Sequence, residues 1–344
     1  MAPRPREDLE AMGVMDPVME EELRKNPRPP QPDSHDHLVQ REHRAAVLRT
    51  LHHLRVIPGP VPQVKEEDRK IQTRDGAEIT VRIYTPVKAP EQGSPLIVMF
   101  HEGGWSMGDL TDEEVNCRMF SRDLGAVCVN VDYRLAPEYK FPTGVLDSWD
   151  ALKWAASNAS SLHANPARGF VIGGGSAGGN ITAVLSHLAR DEHLYPPLTG
   201  QYLCVPALLP SSVVPDEYKP EYLSREHNVI DPVLNMKSED LSAALQTIYQ
   251  PDEASPLYVP FNHQNHKGLP RAYFQLCGLD PLRDEGLIYE RVLREECGIE
   301  TKLDVYPGYG HMFWTNFPNM DVSKKFISDT LQGMKWLLEC KGSA

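Results

Sequence analysis

The chain lacks any uncharged apolar run approaching the ~18–20 residues of a membrane-spanning helix, so no membrane partner is expected. It also lacks a compact Lys/Arg stripe. Its 35 basic and 48 acidic residues leave a formal net charge of -13, a sign that repels phosphate backbones and anionic lipid. Nucleic acid is thereby excluded as an expected partner. The opening decapeptide MAPRPREDLE carries charge where a signal peptide needs an apolar run. The six cysteines (Cys117, Cys128, Cys204, Cys277, Cys297 and Cys340) form no pair at metal-ligand spacing, and several sit in apolar runs such as Ala126-Val127-Cys128-Val129. Free thiols in a reducing compartment are the plain reading, so a cytoplasmic location is expected. The sequons at Asn158 and Asn180 then carry no meaning. Internal repeats are absent.

What remains is an ordinary globular balance, 41% hydrophobic and 24% charged, in 344 residues, enough for a sizeable core. Residues 1–65 read as a separate opening segment. Leu9, Met12, Val18, Met19 and Leu23 recur at helical spacing until the Pro-rich stretch Pro27 to Pro32 breaks the helix, and His43 to Leu54 is a second amphipathic piece. From about Val64 strands alternate with helices. Ile79 to Tyr84 alternates with period two, whereas Leu96 to Phe100, Ala126 to Val131 and Gly169 to Ile172 are continuous apolar runs suited to strands buried on both faces. Later strands are expected at Ala272 to Leu276 and Lys302 to Tyr306, with helices at 112–124, 147–156, 284–296 and 322–338. This alternation predicts an α/β fold: a mostly parallel sheet with helices on both faces. Residues 207–270, rich in Pro, Ser, Asn and His, interrupt it as a lid or cap candidate, dividing the core into 66–206 and 271–344.

Four loops carry chemistry. Gly174-Gly175-Ser176-Ala177-Gly178 fits G-x-S-x-G between a buried strand and a helix, where glycines permit the sharp turn that projects a nucleophilic hydroxyl. Alone, the motif is equally a glycine-rich turn. Upstream, His101-Glu102-Gly103-Gly104-Trp105 also follows a buried strand. The N–H groups of Gly103, Gly104 and Ala177 are candidates for an oxyanion hole. Downstream, Asp280 and His311 follow two successive strands, giving the order Ser, Asp, His expected of a hydrolase triad. Asp284 and Glu285 compete for the acid role but sit at a helix start, where capping explains them. His35, His37, His263 and His266 lie in polar Pro/Asn-rich segments without Cys or carboxylate partners at ligand spacing. Exposed loops are expected there, with no metal.

These blocks, with Tyr133-Arg134-Leu135-Ala136-Pro137-Glu138 and Asp280 to Gly286, resemble the hormone-sensitive-lipase-like family of α/β-hydrolases from about Val64 onward. The resemblance implies an α/β-hydrolase fold, a triad of Ser176, Asp280 and His311, a helical cap built from the opening and middle segments, and dimers among its assemblies. It implies that His101 braces a loop. Two departures stand out. Glu102 replaces the first glycine of the family's His-Gly-Gly-Gly and faces either solvent, the favoured reading, or the substrate, and Gly175 replaces the family's usual Asp or Thr.

The resulting expectation is a cofactor-free serine carboxylesterase for small, largely apolar esters, with an uncharged acyl group because no Arg/Lys cluster adjoins the motifs. The narrowest likeness is to fungal secondary-metabolism enzymes similar to versiconal hemiacetal acetate esterases. An acyltransferase, lactonase or amide hydrolase would share the triad. A non-catalytic receptor on the same fold is the third class.

Overall fold

The computed structural model describes residues 4–29, 32, 36–234 and 236–339. The helices α1 (Arg6–Met12), α2 (Pro17–Lys25) and α3 (His37–Leu51) come first. The expected single helix through Leu23 is two, because Gly13 ends α1 and Asp16, accepting the Val18 N–H at 2.8 Å, caps a new helix with Pro17 at its first position.

The strands β1 (Val64–Gln72), β2 (Glu78–Pro86), β3 (Leu96–Phe100), β4 (Val127–Asp132), β5 (Phe170–Gly175) and β6 (Gly200–Cys204) follow. A two-residue hairpin is made by β7 (Ile230–Asp231) and β8 (Met236–Lys237), and the sheet resumes with β9 (Arg271–Cys277) and β10 (Thr301–Tyr306). The eight-stranded order is β1-β2-β4-β3-β5-β6-β9-β10. β1/β2 and β2/β4 pair antiparallel and every later pairing is parallel, so the sheet is mostly parallel, as expected. The continuous apolar runs form its centre: every residue of β3 and β5 is buried, while β2 alternates.

The connecting helices are α4 (Glu114–Leu124), α5 (Thr143–Ser157), α6 (Ala177–Asp191), α7 (Ser224–His227), α8 (Ser238–Ile248), α9 (Arg283–Arg291), α10 (Phe313–Asn316) and α11 (Asp321–Leu338). One apolar cluster holds Phe100, Trp149 and Ile181. Another holds Met99, Tyr273 and Phe326. Burying each such large side chain contributes about 1.5–3 kcal/mol. Among the described residues no helix is long and apolar enough to cross a membrane. Cys117, Cys128, Cys204 and Cys277 are buried free thiols and Cys297 is half-buried, while Cys340 lies outside the described residues.

Candidate active site

The turn between β5 and α6 is the sharpest feature at the sheet's carboxyl edge. Ser176 adopts φ 53° and ψ -112°, a conformation that costs a non-glycine residue on the order of 1–3 kcal/mol. Its neighbours explain how the turn survives. A Cβ on Gly174 would fall 2.3 Å from the Phe100 carbonyl oxygen, and one on Gly178 would fall 1.9 Å from the same atom. Gly175 differs, since a Cβ there would meet nothing nearer than 3.7 Å.

His311 and Asp280 arrive on the loops after β10 and β9. Both are buried, and the imidazole Nδ1 donates to Asp280 Oδ2 at 2.6 Å. Burial works against a charged imidazole, but the charge and hydrogen bond of Asp280, aided by Asp231, outweigh it and raise the His311 pKa. Ser176, Asp280 and His311 line one cavity of about 600 Å³. Among the described residues no hydrogen bond joins Ser176 Oγ to the imidazole. The hydroxyl–imidazole link expected of a triad is open.

The loop after β3 faces them. Gly103 and Gly104 have φ 118° and 60° and line the cavity, and Ala177 opens α6. Among the described residues no protein acceptor takes the N–H of Gly103, Gly104 or Ala177. His101 braces this loop: its Nδ1 donates to the Glu102 carbonyl at 2.8 Å, and its ring stacks on Tyr133 at 4.1 Å.

Several residues depart from expectation. Glu102 does not face solvent. It is 5% exposed, lines the cavity, and pairs with Arg44 of α3 at 3.4 Å. Burial, then the nearby Asp112 charge, push its carboxyl well above the usual range despite Arg44. Arg28, Arg44 and Arg225 also line the cavity, so cations do adjoin the site, although none is near the motifs in sequence. Arg44 is paired with Asp112 at 3.1 Å and Arg225 with Glu285 at 2.8 Å.

Asp284 and Glu285 are more than helix caps. Asp284 accepts the N–H groups of Leu223 and Ser224, and Glu285 those of Leu208 and Leu209, stitching the middle segment to the first turn of α9. His263 and His266 are half-buried: His187 of α6 stacks on the first at 4.0 Å and bonds Nδ1 of the second at 2.9 Å. His37 is buried against the Ser106 carbonyl, while His35 lies outside the described residues. Among the described residues no group of three or more His, Cys, Asp or Glu is arranged to hold a metal ion.

Further walls come from the opening segment, including Arg28, His37 and Leu48, and from the middle segment, including Ala207, Leu245 and Tyr258. Asn180, a sequon asparagine, is wholly buried and donates to the carbonyls of Ala207 and Tyr258 at 2.6 and 2.7 Å, fixing the middle segment onto α6.

A family model described as the alpha/beta hydrolase fold matches residues 97–315. The chain belongs to the α/β-hydrolase family, in its esterase branch. Among relatives of this family, an AB hydrolase superfamily protein of Schizosaccharomyces pombe is 44% identical, covering 81% of this chain and 82% of its own. Versiconal hemiacetal acetate esterase of Dothistroma septosporum is 34% identical, covering 83% of this chain and 86% of its own. Among solved α/β-hydrolases, vibralactone cyclase superposes with a TM-score of 0.88 at 32% identity, covering 95% of this chain and 96% of that one.

Proposed function

We propose that this carboxylic ester hydrolase works through an acyl-serine intermediate, with Ser176 as nucleophile, His311 as base and Asp280 as the group that orients it. The observation that carries the reading is the convergence on one cavity of a strained serine, a histidine paired to a buried carboxylate at 2.6 Å, and the Gly103–Gly104 loop, whose amides have no protein acceptor among the described residues. Ser176 Oγ attacks the ester carbonyl carbon while His311 Nε2 takes its proton. The Gly103, Gly104 and Ala177 N–H groups stabilise the oxyanion. Collapse breaks the carbon–oxygen bond to the alcohol, which leaves with the proton from His311. Water, activated by the same imidazole, then attacks the acyl-serine and releases the acid.

The opening segment, within residues 1–65, and the middle segment, 207–270, serve as the cap. Trp105, Met107, Pro210, Ile248, Tyr258 and Met312 give the cavity an apolar lining, and two of its three arginines are tied in the ion pairs described above, which supports a small, largely apolar, uncharged acyl group. The likeness to a versiconal hemiacetal acetate esterase supports a role in fungal secondary metabolism. Buried free thiols fit a cytoplasmic location.

Replacing Ser176→Ala and following p-nitrophenyl butyrate should remove turnover, with the loss of fluorophosphonate labelling as a second readout. Undiminished activity would refute the mechanism. A second reading, intramolecular acyl transfer to a substrate hydroxyl that closes a lactone, is favoured by the likeness to vibralactone cyclase. Product analysis of a hydroxy-ester substrate, acid against lactone, separates the two.

A further inference from the structure

Asp231 in β7 ties the middle segment to the His311 loop. It is 1% exposed. Its Oδ2 accepts the His311 backbone N–H at 2.6 Å, and its Oδ1 accepts the N–H groups of Val233 and Leu234 at 2.8 Å each. The carboxylate thus closes its own turn with one oxygen and holds the histidine's backbone with the other. Gly310 makes room for it: a Cβ there would lie 3.0 and 3.1 Å from the two carboxylate oxygens and 2.9 Å from Val233 Cγ2. Three residues upstream, Asn228 donates to the carbonyls of Gly278 and Asp280 at 3.1 Å each, so the same short stretch grips the acid's loop as well.

We infer that Asp231 is a positioning residue for the reaction, fixing the His311 loop from the middle segment and placing a second carboxylate beside the imidazole that Asp280 already orients. The inference rests on the acyl-serine reading above. Asp231 does not line the cavity, so it acts through His311 and not on substrate.

The charged groups facing this carboxylate are His311, Asp280 and, from the opening segment, Arg28; Arg225 also acts on His311. Burial, then the Asp280 charge, lift Asp231 to about 6, while His311 opposes the rise. Because Asp231 favours the imidazolium, its loss lowers the His311 pKa. The base is then neutral at lower pH, and the acid limb of kcat/KM moves down.

The test uses the full chain with p-nitrophenyl butyrate from about pH 5 to 9, with the His311 titration followed in parallel by NMR. Asp231→Asn offers one oxygen where the native carboxylate uses two, so kcat should fall roughly tenfold with KM nearly constant. The acid limb and the His311 titration should both move down by roughly half a unit or more. Gly310→Ala keeps every charge but crowds both carboxylate oxygens, so the carboxylate must shift by a few tenths of an ångström at the His311 N–H. It should move the limb the same way, and it carries the test if the first variant does not fold. An acid limb and an NMR titration left in place overturn the inference. If the wild type turns over no ester, or Ser176→Ala does, the acyl-serine reading has failed instead, and the NMR shift still reports whether Asp231 acts on His311.

Discussion

One methyl group, placed at either of two neighbouring glycines, should have opposite consequences. At Gly178 the new Cβ would fall 1.9 Å from the Phe100 oxygen, 2.7 Å from its carbonyl carbon and 2.8 Å from the His101 oxygen. Ordinary carbon–oxygen contact needs about 3.3 Å, so the start of α6 and the end of β3 must separate by about 1.4 Å. Those two elements carry Ser176 and the Gly103–Gly104 amides respectively, and a misplacement of about 1 Å between reacting groups costs on the order of 100-fold in rate. Overpacking here adds about 1–3 kcal/mol of destabilisation. At Gly175 the nearest atoms, Met312 Sδ and Glu102 Cβ, lie at 3.7 and 3.8 Å, which is ordinary contact. Gly175→Ala should therefore leave the elbow in place and stabilise the fold by about 0.4–1 kcal/mol by restricting the unfolded chain. Urea unfolding and kcat/KM on p-nitrophenyl butyrate measure both effects. A Gly178→Ala enzyme within about threefold of wild type in kcat/KM would refute the reasoning, because the expected loss is far larger.

Ser176→Gly relieves the positive φ while deleting the hydroxyl. Turnover should vanish as the unfolding free energy rises by about 1 kcal/mol, and a lower melting temperature than wild type would count against stored strain at the elbow. Glu113 gives a prediction in pH. Burial, then the Asp112 charge, hold its carboxyl up near pH 7 against an unperturbed 4.5, with Asn116 opposing. The folded state therefore keeps this proton to higher pH than the unfolded state. Its contribution is fully present below about pH 4.5 and is lost as pH rises through 7. Glu113→Gln should flatten the decline of stability over that window, and an unchanged slope in chemical denaturation would contradict the assignment.

Local pattern located the sheet because burial on both faces demands uninterrupted apolar strands, so Leu96 to Phe100 and Phe170 to Ile172 stand out without any partner being known. The G-x-S-x-G turn was legible for a related reason. Gly174 answers a local clash, its Cβ falling 2.7 Å from the Gly178 carbonyl carbon, whereas Gly178 answers a distant one with Phe100, and the motif writes both as glycines. Asp280 and His311 were legible as candidates through chain order, although nothing in either loop alone sets the 2.6 Å separation. The environment of Glu102 is not legible locally because its partner, Arg44, lies 58 residues away on α3. Asp284 and Glu285 were read as caps since a helix start was visible locally, whereas the amides of residues 208–209 and 223–224 that they accept were not. Asp231 and Asn228 left no signal at all, lying in a segment without periodicity.

The parallel core, the elbow around Ser176 and the glycines that open the loop after β3 are each written in a few consecutive residues, as apolar runs and glycine spacings. Long-range packing set what encloses the cavity, which charges neutralise one another there, and how the histidine is held. Those contacts join residues tens to hundreds of positions apart, and a hydrogen bond of 2.6 Å between Asp231 and His311 has no counterpart in local spacing.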